Sequence, residues 1–179
     1  MHEEEHHDED EDHDEEEHEE GHDDHGGLIL ANYLQEDAEL DGYELEIGRV
    51  FNLASGDLEV SFSRDVVNGS LSSGMNIPRM SPARNIYSVG YSVNDYLFDL
   101  SFKDVDSQTD TAEEESATSG YQMLDAKLVR TFDLNGSSLR VSVFANNLLD
   151  EVARNHASFV KNQVPLPGKN FGLRFNLSF

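Results

Sequence analysis

From Leu28 to the C-terminus, apolar and polar residues alternate in short runs. A period of 2 sends successive side chains to opposite faces of a strand. In residues 43–51, Tyr43, Leu45, Ile47 and Phe51 share one face, while Glu44, Glu46 and Gly48 share the other. Val50 is an exception, and Arg49 falls on the apolar face, where its stem can lie along apolar surface with its head in water. The same reading gives strands over 58–68, 83–94, 96–107, 120–133, 138–149 and 168–179. The run at 121–132 is the weakest, with Leu124, Ala126 and Leu128 facing one way and Asp125 and Lys127 the other. The last run is the clearest. Phe171, Leu173, Phe175, Leu177 and Phe179 oppose Gly172, Arg174, Asn176 and Ser178. No window carries a convincing helical period.

The connections alternate too. Short turns at 54–57, 94–95 and 135–137 are rich in Gly, Asn, Asp and Ser, and they alternate with long polar stretches near 68–82, 106–119 and 150–168. A soluble β-sandwich would also alternate along its strands. It has no reason to alternate short and long connections, and its strands run to about 5–6 residues. Transmembrane β-strands need about 9–11 residues, with short turns on one side of the bilayer and longer loops on the other. The expected fold is therefore all-β: an antiparallel meander forming a partial transmembrane β-barrel of about seven strands. With Phe179 on the periplasmic side, parity runs 28–53 downward as one long strand. Asp41-Gly42 is a genuine turn signal inside it, and a hairpin there would reverse the placement of everything before it.

Composition divides the chain. The formal net charge is -25, and residues 1–25 carry 16 of the 37 acids and 7 of the 8 histidines. Residues 1–27 read as a disordered His/Asp/Glu-rich extracellular loop, and 28–179 as C-terminal barrel strands. The charge excludes nucleic acid as a partner, since no basic patch exists to neutralise phosphates. There is no cysteine, hence no disulfide framework and no thiolate metal site. No basic and apolar leader and no apolar run of about 18 residues is present, filters that a β-barrel passes.

His2, His6, His7, His13, His18, His22 and His25 are the candidate metal ligands. Neutral imidazole suits zinc, copper or nickel, and carboxylates can complete the coordination. Their spacing does not repeat, so the segment reads as a flexible, multivalent trap whose carboxylates concentrate cations. The bland alternative is a solvated acidic loop that contains His. His156 stands apart in the last long loop and reads as loop packing rather than as a ligand. No nucleophile elbow or metal-hydrolase motif is present, and an enzyme is not expected.

Several motifs together resemble a family. The stretch from Asn146-Asn147-Leu148-Leu149-Asp150-Glu151 through Arg154-Asn155-His156-Ala157-Ser158-Phe159 to Pro165-Leu166-Pro167-Gly168-Lys169-Asn170-Phe171, with the terminal Phe179, resembles the end of a TonB-dependent outer-membrane receptor. Asp41-Gly42-Tyr43-Glu44-Leu45-Glu46 is similar to that family's Gly-x-Glu strand signature. Ile77-Pro78-Arg79-Met80-Ser81-Pro82-Ala83-Arg84 and Ser119-Gly120-Tyr121-Gln122-Met123-Leu124-Asp125 resemble its later loop and strand openings. The resemblance implies a plugged barrel of roughly 22 strands, of which this chain is a C-terminal fragment. It implies an outer-membrane location, with lipid as a partner and TonB engaged only by the full-length protein. It also implies that the strand ending at Phe179 is read by the barrel-assembly machinery. Zinc-uptake members carry a similar His- and acid-rich loop. The expected function is therefore uptake of a metal, first of all zinc, bound transiently and not as a permanent cofactor. The alternatives are a siderophore or haem receptor fragment and a non-transporting metal-binding module.

Overall fold

In the computed structural model, residues 35–179 are described, and they form one seven-stranded sheet with no helix. The strands are β1 (Ala38–Leu53), β2 (Gly56–Leu71), β3 (Arg84–Val93), β4 (Tyr96–Val105), β5 (Tyr121–Asp133), β6 (Ser138–Asn146) and β7 (Asn170–Ser178). Their order in the sheet is their order in the chain, and every neighbouring pair is antiparallel. The result is an open meander with β1 and β7 at its edges, the arrangement of a partial barrel. The strand that alternation marked as weakest, β5, forms over 13 residues.

The Asp41-Gly42 turn signal is overridden. β1 runs unbroken through it, pairing Asp41 with Asn68 and Gly42 with Val67. Glycine is needed there for a different reason: a Cβ on Gly42 would lie 2.3 Å from the Val66 carbonyl oxygen. The strand is shorter at its start than expected. Gln35–Asp37 precede it outside the strand, although the Asp37 carbonyl still accepts from the Ser72 amide at 2.9 Å, and Glu36 is held by its side chain. Its carboxylate accepts hydrogen bonds from Ser72 Oγ (3.0 Å) and from the Ser73 amide. The expected residues 28–34 of that strand lie outside the described residues.

The register aligns the alternation across all seven strands. On one face Phe51, Leu58, Tyr91, Phe98, Leu128, Val143 and Leu173 follow one another as direct cross-strand neighbours. A second row passes from Val60 through Val89, Leu100, Ala126 and Ala145 to Phe171. In the next row toward the loops, Phe62 and Tyr87 pair with ring centroids 5.0 Å apart. Toward the long loops the same face turns polar. There Arg64 donates to the Tyr43 hydroxyl and to Asn85 Oδ1, and Gln122 donates to Asp104.

This apolar band is uncovered. Among the described residues only Val105, Val129 and Ala153 are buried apolar residues, while Phe171 is 70% and Phe175 64% exposed. A soluble protein rarely leaves so large an apolar surface in contact with water. No second layer lies against it among the described residues, whereas a sandwich would cover this face with a second sheet. A band of this width flanked by polar rows fits a hydrocarbon surrounding, in which exposure costs nothing.

All three long connections, 72–83, 106–120 and 147–169, emerge at one end of the sheet, and the short turns lie at the other. At the β5–β6 turn, Asn135 and Gly136 both take positive φ (45° and 99°). That is the backbone of a tight turn whose twist suits the strands it joins.

Candidate functional site

Two places in the described residues concentrate polar chemistry. One is the polar face of the sheet, and the other is a cap made by the three long loops.

On the polar face, Asp99, Ser101, Asp125, Lys127, Ser142 and Arg174 line an open cavity of about 440 Å³. Lys127 Nζ lies 3.4 Å from Asp99 Oδ2 across the β4–β5 pair. Both groups are well solvated, so the pair contributes roughly 0–1 kcal/mol. Phe144 is the apolar intruder on this face, and its cross-strand partner is Gly172. The tip of the ring occupies the space a side chain would need: a Cβ on Gly172 would clash with Phe144 Cζ. The Arg174 guanidinium sits 6.0 Å from the ring centroid. The glycine thus accommodates an aromatic that has no place in the outer band.

The cap is built differently. Its centre is Glu115, in the second long loop. The Glu115 carboxylate accepts from the Arg79 amide (3.0 and 3.1 Å), from the Ala112 amide (3.2 Å) and from Lys161 Nζ (2.8 Å). Burial alone would raise its pKa. The hydrogen bond from Lys161, those from the two amides and the charge of Lys161 outweigh this and hold it at about 2. His156, in the third loop, is 1% exposed. Its Nδ1 faces Thr118 Oγ1 at 2.9 Å and its Nε2 faces Glu115 Oε1 at 3.2 Å. With Thr118 donating to Nδ1, the neutral tautomer carries its proton on Nε2 and donates it to Glu115. Burial and the neighbouring Lys161 charge lower the His156 pKa, and Glu115 only partly offsets them.

Each loop is tied to the others. Asn76 donates to the Thr111 carbonyl and Gln108 to that of Met80, joining the first loop to the second. Ser116 and Asn162 join the second to the third. The Arg79 guanidinium stacks 3.4 Å over the Phe159 ring, joining the first to the third. Arg154 donates to the carbonyls of Lys161 and Asn162 and so fixes the backbone that presents the lysine. At the base, Asn147 is completely buried with φ 50°. Its side-chain amide donates to the Glu151 and Pro167 carbonyls, its Oδ1 accepts from the Glu151 amide, and its own amide donates to Asp125. Among the described residues no buried side-chain nitrogen or oxygen lacks a partner. Such satisfied buried networks rigidify the segments they join.

His156 is thus built into the packing of the cap, in the last long loop where the sequence placed it. The seven candidate ligands His2, His6, His7, His13, His18, His22 and His25 lie outside the described residues, as does the whole of 1–27. Among the described residues no group of three or more His, Asp or Glu side chains is disposed to hold a metal ion. Sequence reasoning missed Glu115, Thr118 and Lys161. Glu115 stands in the run Glu113-Glu114-Glu115, which looks like a solvated stretch, and its partner Lys161 is 46 residues away.

Fold and loops together define a strip of membrane-type β-barrel: an apolar outer band, a polar inner face, turns at one end and packed loops at the other. Comparison with known proteins agrees at that level. The fold is similar to that of a solved copper transporter, OprC, with a TM-score of 0.67 over 80% of this chain at 18% identity. The match takes in 24% of that structure, so the chain spans about a quarter of its length. No protein-family model matches the chain, and neither does any curated protein.

Proposed function

We propose that this chain provides strands and loops of a TonB-dependent outer-membrane receptor that takes up a metal ion. The observation that carries the reading is the uncovered apolar band on a seven-stranded meander whose long loops share one end. A sheet with two free edges and an apolar outer face is complete only within a larger closed barrel. The similarity to a copper transporter supports metal as the cargo. In this reading Phe171 to Phe179 meet lipid and carry the signal for barrel assembly, and TonB acts on parts of the receptor beyond these strands.

The His- and acid-rich residues 1–25 would concentrate the ion outside the membrane. Zinc is the first candidate by resemblance to zinc-uptake receptors, and the imidazole and carboxylate donors suit it. Copper binds the same donor types more tightly in general, so the choice between the two has to be measured.

Calorimetry on the full chain with zinc, copper, nickel and calcium tests the capture. Transition metals should release heat that disappears when the seven histidines are replaced by serine. Calcium should bind weakly and equally to both chains, through the carboxylates. Equal heats for zinc, copper and nickel with and without the histidines would sink the capture reading. Recovery outside the outer-membrane fraction, in cells expressing a full-length receptor that carries these strands, would sink the receptor reading.

A further inference from the structure

The cap combines features that a static loop bundle does not need. A buried histidine, a carboxylate and a lysine meet where the second and third long loops touch, and the same carboxylate holds the first loop through the Arg79 amide. We propose that Glu115, Lys161 and His156 form an acid-released latch: it fastens the three loops into one cap at neutral pH and lets them part when His156 takes up a proton.

The charge count in the closed cap carries the argument. Among the described residues Glu115 is the one carboxylate that touches this cluster, and Lys161 already neutralises it at 2.8 Å. Lys161 Nζ also stands 3.3 Å from His156 Nε2 and 3.5 Å from Nδ1. A proton on the imidazole would place two cations against one carboxylate in a site where His156 is 1% and Lys161 5% exposed. Buried unbalanced charge is costly. It would also turn Nδ1 from acceptor to donor, so that the Thr118 hydroxyl would have to reverse and accept.

The other charged groups nearby do not relieve this. The Arg79 guanidinium is committed to Phe159, and Arg154 to the Lys161 and Asn162 carbonyls. Both are cations in any case. Among the described residues no further acid lies within hydrogen-bond reach of the imidazole.

The sign follows directly. The closed cap disfavours the imidazolium, and the open loops accept it with the ordinary His value of about 6.5. The latch therefore holds above that pH and weakens as pH falls below it. Glu115 acts in the same direction further down: its contribution is complete above about 4.5 and is lost as pH falls toward about 2. The proposal is independent of which ion passes beneath the cap.

Amide hydrogen exchange on the full chain in lipid, corrected for intrinsic rates, reads the latch at pH 7.5 and 5.0. Protection of 106–120 and 147–169 should fall about tenfold, since one proton taken up on opening weakens the closed state by up to tenfold per pH unit. Amides of β3 and β4 should hold. The step should vanish in His156→Gln, which keeps a hydrogen-bonding side chain without a titrating one. Should that variant leave the loops open at both pH values, nitrogen NMR of His156 in the unmodified chain decides instead, with its titration midpoint expected below 6.5 and coincident with loop opening. Loop protection that is flat between the two pH values, that keeps its step in a closed His156→Gln, or that opens away from the His156 midpoint would overturn the latch.

Discussion

The outer band and the loop cap are made of the same chain by opposite rules. In the band, Val60, Val89, Leu100 and Ala126 need only be apolar and face outward, because their surroundings supply the contact. In the cap, Glu115, His156, Lys161 and Asn147 each have one fit, and each is held by named partners. The band tolerates exchange among apolar residues and fails with a charge. The cap holds charge only where it is paired, and fails with the loss of a single hydrogen-bonding group. Stability by environment and stability by specific pairing thus sit at two levels of one sheet.

The sharpest way to break the band is a charge at its middle. Leu100 faces outward between Val89 and Ala126, whereas Ser101 faces the polar cavity beside Asp125. Leu100→Arg should cost about 2–4 kcal/mol of folding stability in lipid vesicles, the range for a cation near the bilayer midplane. Ser101→Arg, one residue along, should cost less than about 1 kcal/mol, with an aqueous cavity and a carboxylate within reach. Urea titration of both variants in vesicles reads the difference. Equal costs would mean that the two faces do not see different solvents, and the membrane reading of the sheet would fall with them.

The cap should break at Asn147 by a somewhat smaller amount. Asn147→Ala strands the Glu151 amide and the Glu151 and Pro167 carbonyls, and places alanine at φ 50°. Unsatisfied buried groups cost about 1–3 kcal/mol each, and solvent entering the loop recovers part of it. A net loss of about 2 kcal/mol is expected, confined to 147–169. Hydrogen exchange should show that loop opening while β1 to β4 keep their protection. Protection lost evenly through the sheet would show that the cap and band are not separable.

The difference between the regions also governs what could be read in advance. The band follows from alternation, because a period of 2 is a local property and one face needs only apolar residues. All seven strands were legible for that reason, and so was the polarity of turns and loops. Asp41-Gly42 shows the limit: the dipeptide is a turn signal locally, but pairing with Asn68 and Val67 overrides it. The cap was not legible beyond the isolation of His156. Glu115 and Lys161 meet across 46 residues, and no spacing marks that contact.

The turn end follows a third rule, and the smallest predicted effect tests it. At Asn135-Gly136 nothing presses on the glycine: a Cβ there would meet no atom within 4 Å. The demand is on the backbone alone, through its φ of 99°. Gly136→Ala should therefore cost about 1 kcal/mol, the strain of an L-residue held at positive φ, with no clash to add to it. The loss should appear as a lower urea midpoint with the slope unchanged, since the same surface unfolds. Hydrogen exchange should place it in the β5–β6 hairpin, with the cap untouched at the other end. A cost near that of Leu100→Arg would mean that this turn sets the register of the whole meander, and that the strand pairing written into the alternation depends on one backbone angle.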